Sequence, residues 1–218
     1  YLAYLVTSSN FSYKNLTEAD TEKIAYLKNL ETSMKNAVLY MDLSGSTLSN
    51  DELNEILKDY KNLNELNLTG CTKLTSFDFL NGKTKLQQIC FSNTGITGGE
   101  VSKLDTYATG LRSFKCNNPN IDLTKMQKTI SRTSIYYGKA GYTNYCGAGI
   151  ENYDLKQQLS KCTEITYIAT NSMNSTGTVD LTNCTKLTSG YFQDGGGTFI
   201  LPSSITTIES WYQGVKLD

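Results

Sequence analysis

The chain has no histidine. The commonest general acid and base, the usual partner of serine and cysteine nucleophiles and the commonest metal ligand are all missing with it. Six cysteines stand at Cys71, Cys90, Cys116, Cys146, Cys162 and Cys184, and no two form a C-x-x-C pair. A zinc site of ordinary spacing is therefore not expected, nor is any cofactor, since no G-x-x-x-x-G-K-[ST] phosphate loop occurs. Two chemistries remain. One is carboxylate hydrolysis, which needs only a pair of acids. The other is recognition by 15 tyrosines set among Asn, Thr and Ser. Either requires an element that holds side chains at a fixed spacing.

That element is a phrase of the form L-x-x-L-x-L: LNELNL from Leu63, LQQICF from Leu86, LRSFKC from Leu111 and ITYIAT from Ile165. The first position falls at Val38, Leu63, Leu86, Leu111, Ile135, Ile165, Leu187 and Ile208. These are roughly 21–30 residues apart, the period of a stack of similar units. Fourth and sixth positions point inward by the alternation of a short strand. They hold Met41 and Leu43, Leu66 and Leu68, Ile89 and Phe91, Phe114 and Cys116, then Ile168 and Thr170. Later units are irregular, with Gly138, Ala140, Gly190 and Gln213 at inward places.

Between the phrases the period becomes helical. Leu53, Ile56, Leu57 and Tyr60 follow Ser49 at three- and four-residue spacing, and Gly99 to Tyr107, Leu123 to Ser131 and Glu151 to Lys161 have the same character. From Gly177 onward, Gly195, Gly196, Gly197 and Pro202 argue for turns and short extended pieces instead. Residues 1–36 lack the phrase. A helix from an N-cap at Thr17, with Ile24, Leu27 and Leu30 as its stripe, would cap the open end of the stack.

At these residues the chain resembles the leucine-rich repeat family. LNELNLTGC, ending at Cys71, and the cysteines three residues before a phrase (Cys162 and Cys184) partly match its cysteine-containing subtype. FILPSSITTIESWYQG, from Phe199 to Gly214, is similar to the L-P-x-x-V-T-x-I-x-x-x-A-F pattern of BspA-like bacterial surface proteins. The resemblance implies an α/β solenoid. It would be a right-handed superhelix with a parallel concave sheet, and helices then turns on its convex side. The organisation expected is a helical cap over 1–36 and about eight irregular units over 37–218, in one structural domain. One observation strains the register. LTGCTKLTS (68–76) and LTNCTKLTS (181–189) are nearly one string, half a unit out of phase.

On such a sheet the third, fifth and seventh positions look outward, and the candidate ligand-binding residues follow. They are Tyr40, Asp42, Glu65, Asn67, Gln88, Lys115, Tyr137, Lys139, Tyr167, Asn171, Tyr191, Gln193 and Tyr212. Tyrosines beside small polar groups give large, stiff contact area with a hydroxyl. Tyrosine also favours strands for packing reasons alone. Asp42 and Glu65 are the acids expected on this face, a thin basis for an enzyme, and none is expected. The cysteines read mainly as packing. Cys90 (fifth, outward) and Cys116 (sixth, inward) face opposite sides and should not meet. Cys162 and Cys184 stack closely enough to bridge, although two small buried hydrophobes suffice there.

Twenty basic and 21 acidic residues, with no basic block, argue against a nucleic-acid partner. No apolar run approaches the ~20 residues that span a bilayer. The expectation is a monomeric, non-enzymatic binding module of an exported or cell-surface bacterial protein. Its partner is a protein or a glycan on the concave face. The alternative is a spacer or stalk region of a larger surface protein.

Overall fold

The computed structural model describes residues 10–118, 120–136, 157–171, 177–193 and 197–209. Among these residues nine short strands lie side by side in chain order: β1 (Asn10–Ser12), β2 (Tyr40–Asp42), β3 (Glu65–Asn67), β4 (Gln88–Cys90), β5 (Ser113–Lys115), β6 (Ser134–Tyr136), β7 (Tyr167–Asn171), β9 (Ser189–Gln193) and β11 (Thr207–Glu209). Every neighbouring pair is parallel. One strand per coil, each laid on the last, is a solenoid. The intervening β8 (Gly177–Asp180) and β10 (Gly197–Ile200) pair with each other in a second, two-stranded sheet.

The inward row is as the alternation predicts. Met41, Leu66, Ile89 and Phe114 are directly paired along the sheet, and all are buried, as are Leu43, Leu68, Phe91, Cys116, Ile168 and Thr170. Phe77 and Phe91 meet edge to face at 5.1 Å, and Phe91 stacks on Phe114 at 6.4 Å. Gly190, an apparent hole in the pattern, is filled from two residues along. A Cβ there would stand 2.6 Å from the Phe192 ring.

Two phrases depart from the expected register. Ile208 pairs with Gly190 and so occupies a fourth rather than a first position, while Ile135 pairs with Phe114 on one side and Thr170 on the other, a fourth and a sixth place. In L-x-x-L the first and fourth places want the same residue class, so a three-residue slip leaves the apolar pattern almost unchanged. The N-terminal segment also differs. Asn10–Ser12 adds a strand to the sheet ahead of two helices, α1 (Thr21–Asn29) and α2 (Thr32–Ala37). Thr17 is not the N-cap, because its backbone N–H and hydroxyl both donate to the Asp20 carboxylate and hold a turn before the helix. Ile24 and Leu27 are buried and Leu30 packs partly against the core.

Four corners of the coils share one chemistry. In Asp42-Leu43-Ser44, Asn67-Leu68-Thr69, Asp122-Leu123-Thr124 and Asp180-Leu181-Thr182 the first side chain accepts the backbone N–H two residues on, at 2.9–3.1 Å. This Asx turn bends the chain while the central leucine is driven into the core. It also resolves the duplicated string. In both copies the Cys N–H donates to the preceding Leu carbonyl and the following Leu N–H to the Cys carbonyl. The first copy leaves β3 of the main sheet, whereas the second leaves β8 of the small sheet and leads into β9. One string builds a corner on either side of the coil.

Helices occupy the return path of the earlier coils. α3 (Asn50–Leu57) starts where the Ser49 hydroxyl oxygen accepts the Glu52 N–H, and it buries Leu53, Ile56 and Leu57. Shorter helical pieces follow, with α4 (Ser102–Thr106) after a 3-10 turn and α5 (Gln127–Arg132) after another. A helix end leaves carbonyls without partners, and the next coil supplies the donors. The Tyr60 hydroxyl donates to the Leu27 carbonyl at 2.7 Å. The Lys83 ammonium reaches the Leu57 and Tyr60 carbonyls at 2.6 and 3.1 Å. The Cys184 thiol reaches the Leu159 carbonyl at 3.5 Å. Tyr60, Lys83 and Cys184 all stand three residues before their phrase, so this position of the repeat stitches those three coils to their predecessors.

Candidate recognition face

The outward face of the main sheet divides in two. From β2 to β5 its central, fifth-position row is buried: Asp42 is 2% exposed, Asn67 4%, Cys90 0% and Lys115 8%. The expectation of an open polar row fails there, and the bonds show what two of these side chains do instead. Asp42 accepts the Ser44 N–H at 2.9 Å and pairs with the Lys14 ammonium at 3.3 Å. Asn67 accepts the Thr69 N–H. Both are corner-builders. Burial pushes the Lys115 ammonium below its ordinary pKa. Beside this row, Tyr40 is buried, and Glu65 and Gln88 are half-buried. Glu65 keeps one buried carboxylate oxygen without a hydrogen-bond partner, and the Gln88 amide lies 3.9 Å from the Cys90 sulfur.

The cysteines separate along the same lines. Cys71, Cys116, Cys162 and Cys184 are free and buried, so the stacked pair Cys162 and Cys184 is a packing ladder. Burial drives their thiols up in pKa, that of Cys162 to about 12 and that of Cys184 to about 11. Cys90 departs from the expectation of packing alone, being disulfide-bonded.

From β7 to β11 the face opens. Tyr167 and Ser189 are half-buried in the third-position row, which ends at exposed Thr207. The fifth-position row runs from buried Ala169 through half-buried Tyr191 to exposed Glu209. Burial first, and then the charge of Glu209 and the nearby Tyr191, hold the Tyr167 hydroxyl above its ordinary pKa. The two tyrosines and the carboxylate therefore form one electrostatic neighbourhood. Asn171 and Gln193 pair through the backbone at the ends of β7 and β9. Tyr137, Lys139 and Tyr212 lie outside the described residues.

The structure thus brings Tyr167 and Tyr191 together and adds Glu209, which the sequence reading missed. The cause is the three-residue slip in the last phrase, which had assigned the fifth place to Tyr212. The signal was available, since Ile205 and Ile208 in SSITTIES satisfy first and fourth positions with Thr207 and Glu209 outward.

No protein-family model and no curated protein sequence matches the chain. Among solved structures it is similar to internalin InlF of Listeria monocytogenes, with 17% identity, 99% of this chain and 63% of that one covered, and a TM-score of 0.42. It is also similar to internalin C2 of the same species, with 12% identity, 92% and 93% coverage and a TM-score of 0.43. The chain spans less than two thirds of the length of InlF.

Proposed function

We propose that this chain is a non-enzymatic, leucine-rich-repeat binding module of an exported or cell-surface bacterial protein, of the BspA-like kind. It takes a protein or a glycan on the outward face of its main sheet, at the end formed by β7, β9 and β11. The observation that carries this reading is the contrast along the face. The row from Asp42 to Lys115 is buried, while Tyr167, Tyr191, Thr207 and Glu209 remain accessible in whole or part. Half-buried tyrosines are held rigid by their strands and lose little entropy on contact, the property that concentrates binding energy in a few residues. The earlier coils, with their central row closed, favour a second role as a spacer that positions this end.

Screening the purified chain against extracellular-matrix proteins and a glycan array tests the proposal. A ligand lost on the double change Tyr167→Ala and Tyr191→Ala, with the thermal melt nearly unmoved, supports it. A ligand retained by that variant moves the site elsewhere, and no ligand on either panel leaves the spacer role.

A further inference from the structure

Glu209 is exposed, and among the described residues no lysine or arginine pairs with it. Several surface carboxylates elsewhere on these coils have partners, although exposed Glu22, Glu31 and Asp51 resemble Glu209 in forming no ion pair among the described residues. Glu164 is paired with Lys186, Asp78 and Glu100 share Lys103, and Glu52 is paired with Lys28. Glu209 instead lies directly beside Tyr191 across the β9–β11 ladder. Neighbouring strands run about 5 Å apart and alternate residues about 7 Å along a strand. Tyr167, one strand and two residues from Tyr191, therefore lies diagonally across the same patch. Glu209's charge acts on the Tyr167 hydroxyl over that span.

A carboxylate next to two phenol rings favours one class of visitor. The face of each ring is the negative end of its quadrupole, and the carboxylate is fully negative, so all three groups attract a cation. A neutral sugar would stack on the rings and its hydroxyls would donate charge-assisted hydrogen bonds to the carboxylate, but it brings no charge to balance the anion it desolvates. Resting on the binding reading above, we propose that Tyr167, Tyr191 and Glu209 form a subsite for a cationic side chain of a partner protein. Arginine suits it best, its guanidinium lying over a tyrosine ring while its N–H groups pair with the carboxylate. Lysine supplies the charge without the planar fork and binds more weakly.

Calorimetric titration of the whole chain with an acetylated, amidated hexa-arginine peptide tests this, with N-acetylchitohexaose titrated in parallel. The expected result is saturable peptide binding that weakens on adding salt, because an exposed charge pair is screened. Glu209→Gln should weaken it about tenfold, and Tyr167→Leu with Tyr191→Leu about three- to thirtyfold. Tyr167→Phe with Tyr191→Phe, which keep the rings, should bind like the unaltered chain. Circular dichroism of each variant checks that the fold survives, and Glu209→Gln is isosteric at an exposed site.

Absence of saturable peptide binding overturns the subsite, as does binding indifferent to Glu209→Gln. Chitohexaose binding that is lost with the leucine pair but unaffected by Glu209→Gln would sink the cationic subsite while leaving the binding face standing. Binding of any ligand unchanged by both sets of variants would sink the face as well.

Discussion

The coils up to Arg132 and those from Gln157 onward are built from the same phrase yet put their polar residues to different use. In the earlier coils the outward Asp42 and Asn67 fold back to hold the corners, and the return path is helical. In the later coils the corner carboxylate is Asp180, which has moved to the second sheet, where it accepts the Thr182 N–H and hydroxyl. The main-sheet strands there are left to carry Tyr167, Tyr191 and Glu209 outward. Asp122 makes the same turn on the return path of an earlier coil, and Cys90 and Lys115, which cannot form an Asx turn, are buried on the sheet as well, so the corner role accounts for Asp42 and Asn67 alone. A corner residue is spent on its own backbone, and a residue relieved of that duty can meet a ligand.

The comparison can be broken first in the core. Phe91→Ala should cost about 3–5 kcal/mol in a urea melt, since the ring lies between Phe77 and Phe114. Phe192→Ala removes the ring that meets Phe199 at 4.9 Å. Because each coil touches only its neighbours, its hydrogen-exchange footprint should fall on β8, β9 and β10 and spare α3. Equal loss of protection at both ends would mean that the two regions unfold as one.

Lys83 gives the next largest effect and a pH test. The group is fully buried, and burial first, then Lys61, lowers its pKa to about 7 from an ordinary 10.5. Between those values the unfolded chain binds more protons than the folded one, so stability rises with pH across the window. Below about 7 the ammonium is charged in both states and adds no slope. Lys83→Met leaves the Leu57 and Tyr60 carbonyls without this donor, at a cost of about 1–3 kcal/mol. It should also flatten the rise, so its deficit is larger at pH 9 than at pH 6. A deficit independent of pH would show that Lys83 does not titrate there.

Smaller changes separate corner from face. Asn67→Ala should lower stability by about 1 kcal/mol, since the Thr69 N–H loses its acceptor. Glu209→Gln should move the melt by no more than about 0.5 kcal/mol, as usual for an exposed site, and show its effect only in binding. The reverse outcome at either position would reassign that residue.

Much of the fold could be read along the chain. The inward leucines, isoleucines and phenylalanines from Met41 to Phe114 follow from alternation, and α3 from the spacing of Leu53, Ile56 and Leu57 after a serine cap. The slip at Ile208 was easy to overlook, because a pattern with like residues at its first and fourth places is nearly degenerate under a shift of three, and only the pair Ile205 and Ile208 signals it. The corner role of Asp42 and Asn67 was written in the repeated D/N-L-S/T triplet, although an outward strand position reads equally well as a ligand contact. The stitching by Tyr60, Lys83 and Cys184 was legible only as a recurring place before each phrase. Phenol, ammonium and thiol share no side-chain class, only the ability to donate to a carbonyl.

The sequence by itself determined the period, the face of each strand that enters the core and the change from helical to extended return paths after Gly177. These are local properties, fixed by which residues alternate and by where glycine and proline interrupt. Only the tertiary structure decided which outward residues are open. Exposure depends on how distant parts of the chain pack, and no spacing along one strand encodes that. It closed the row from Asp42 to Lys115 and left Tyr167, Tyr191 and Glu209 accessible at the other end.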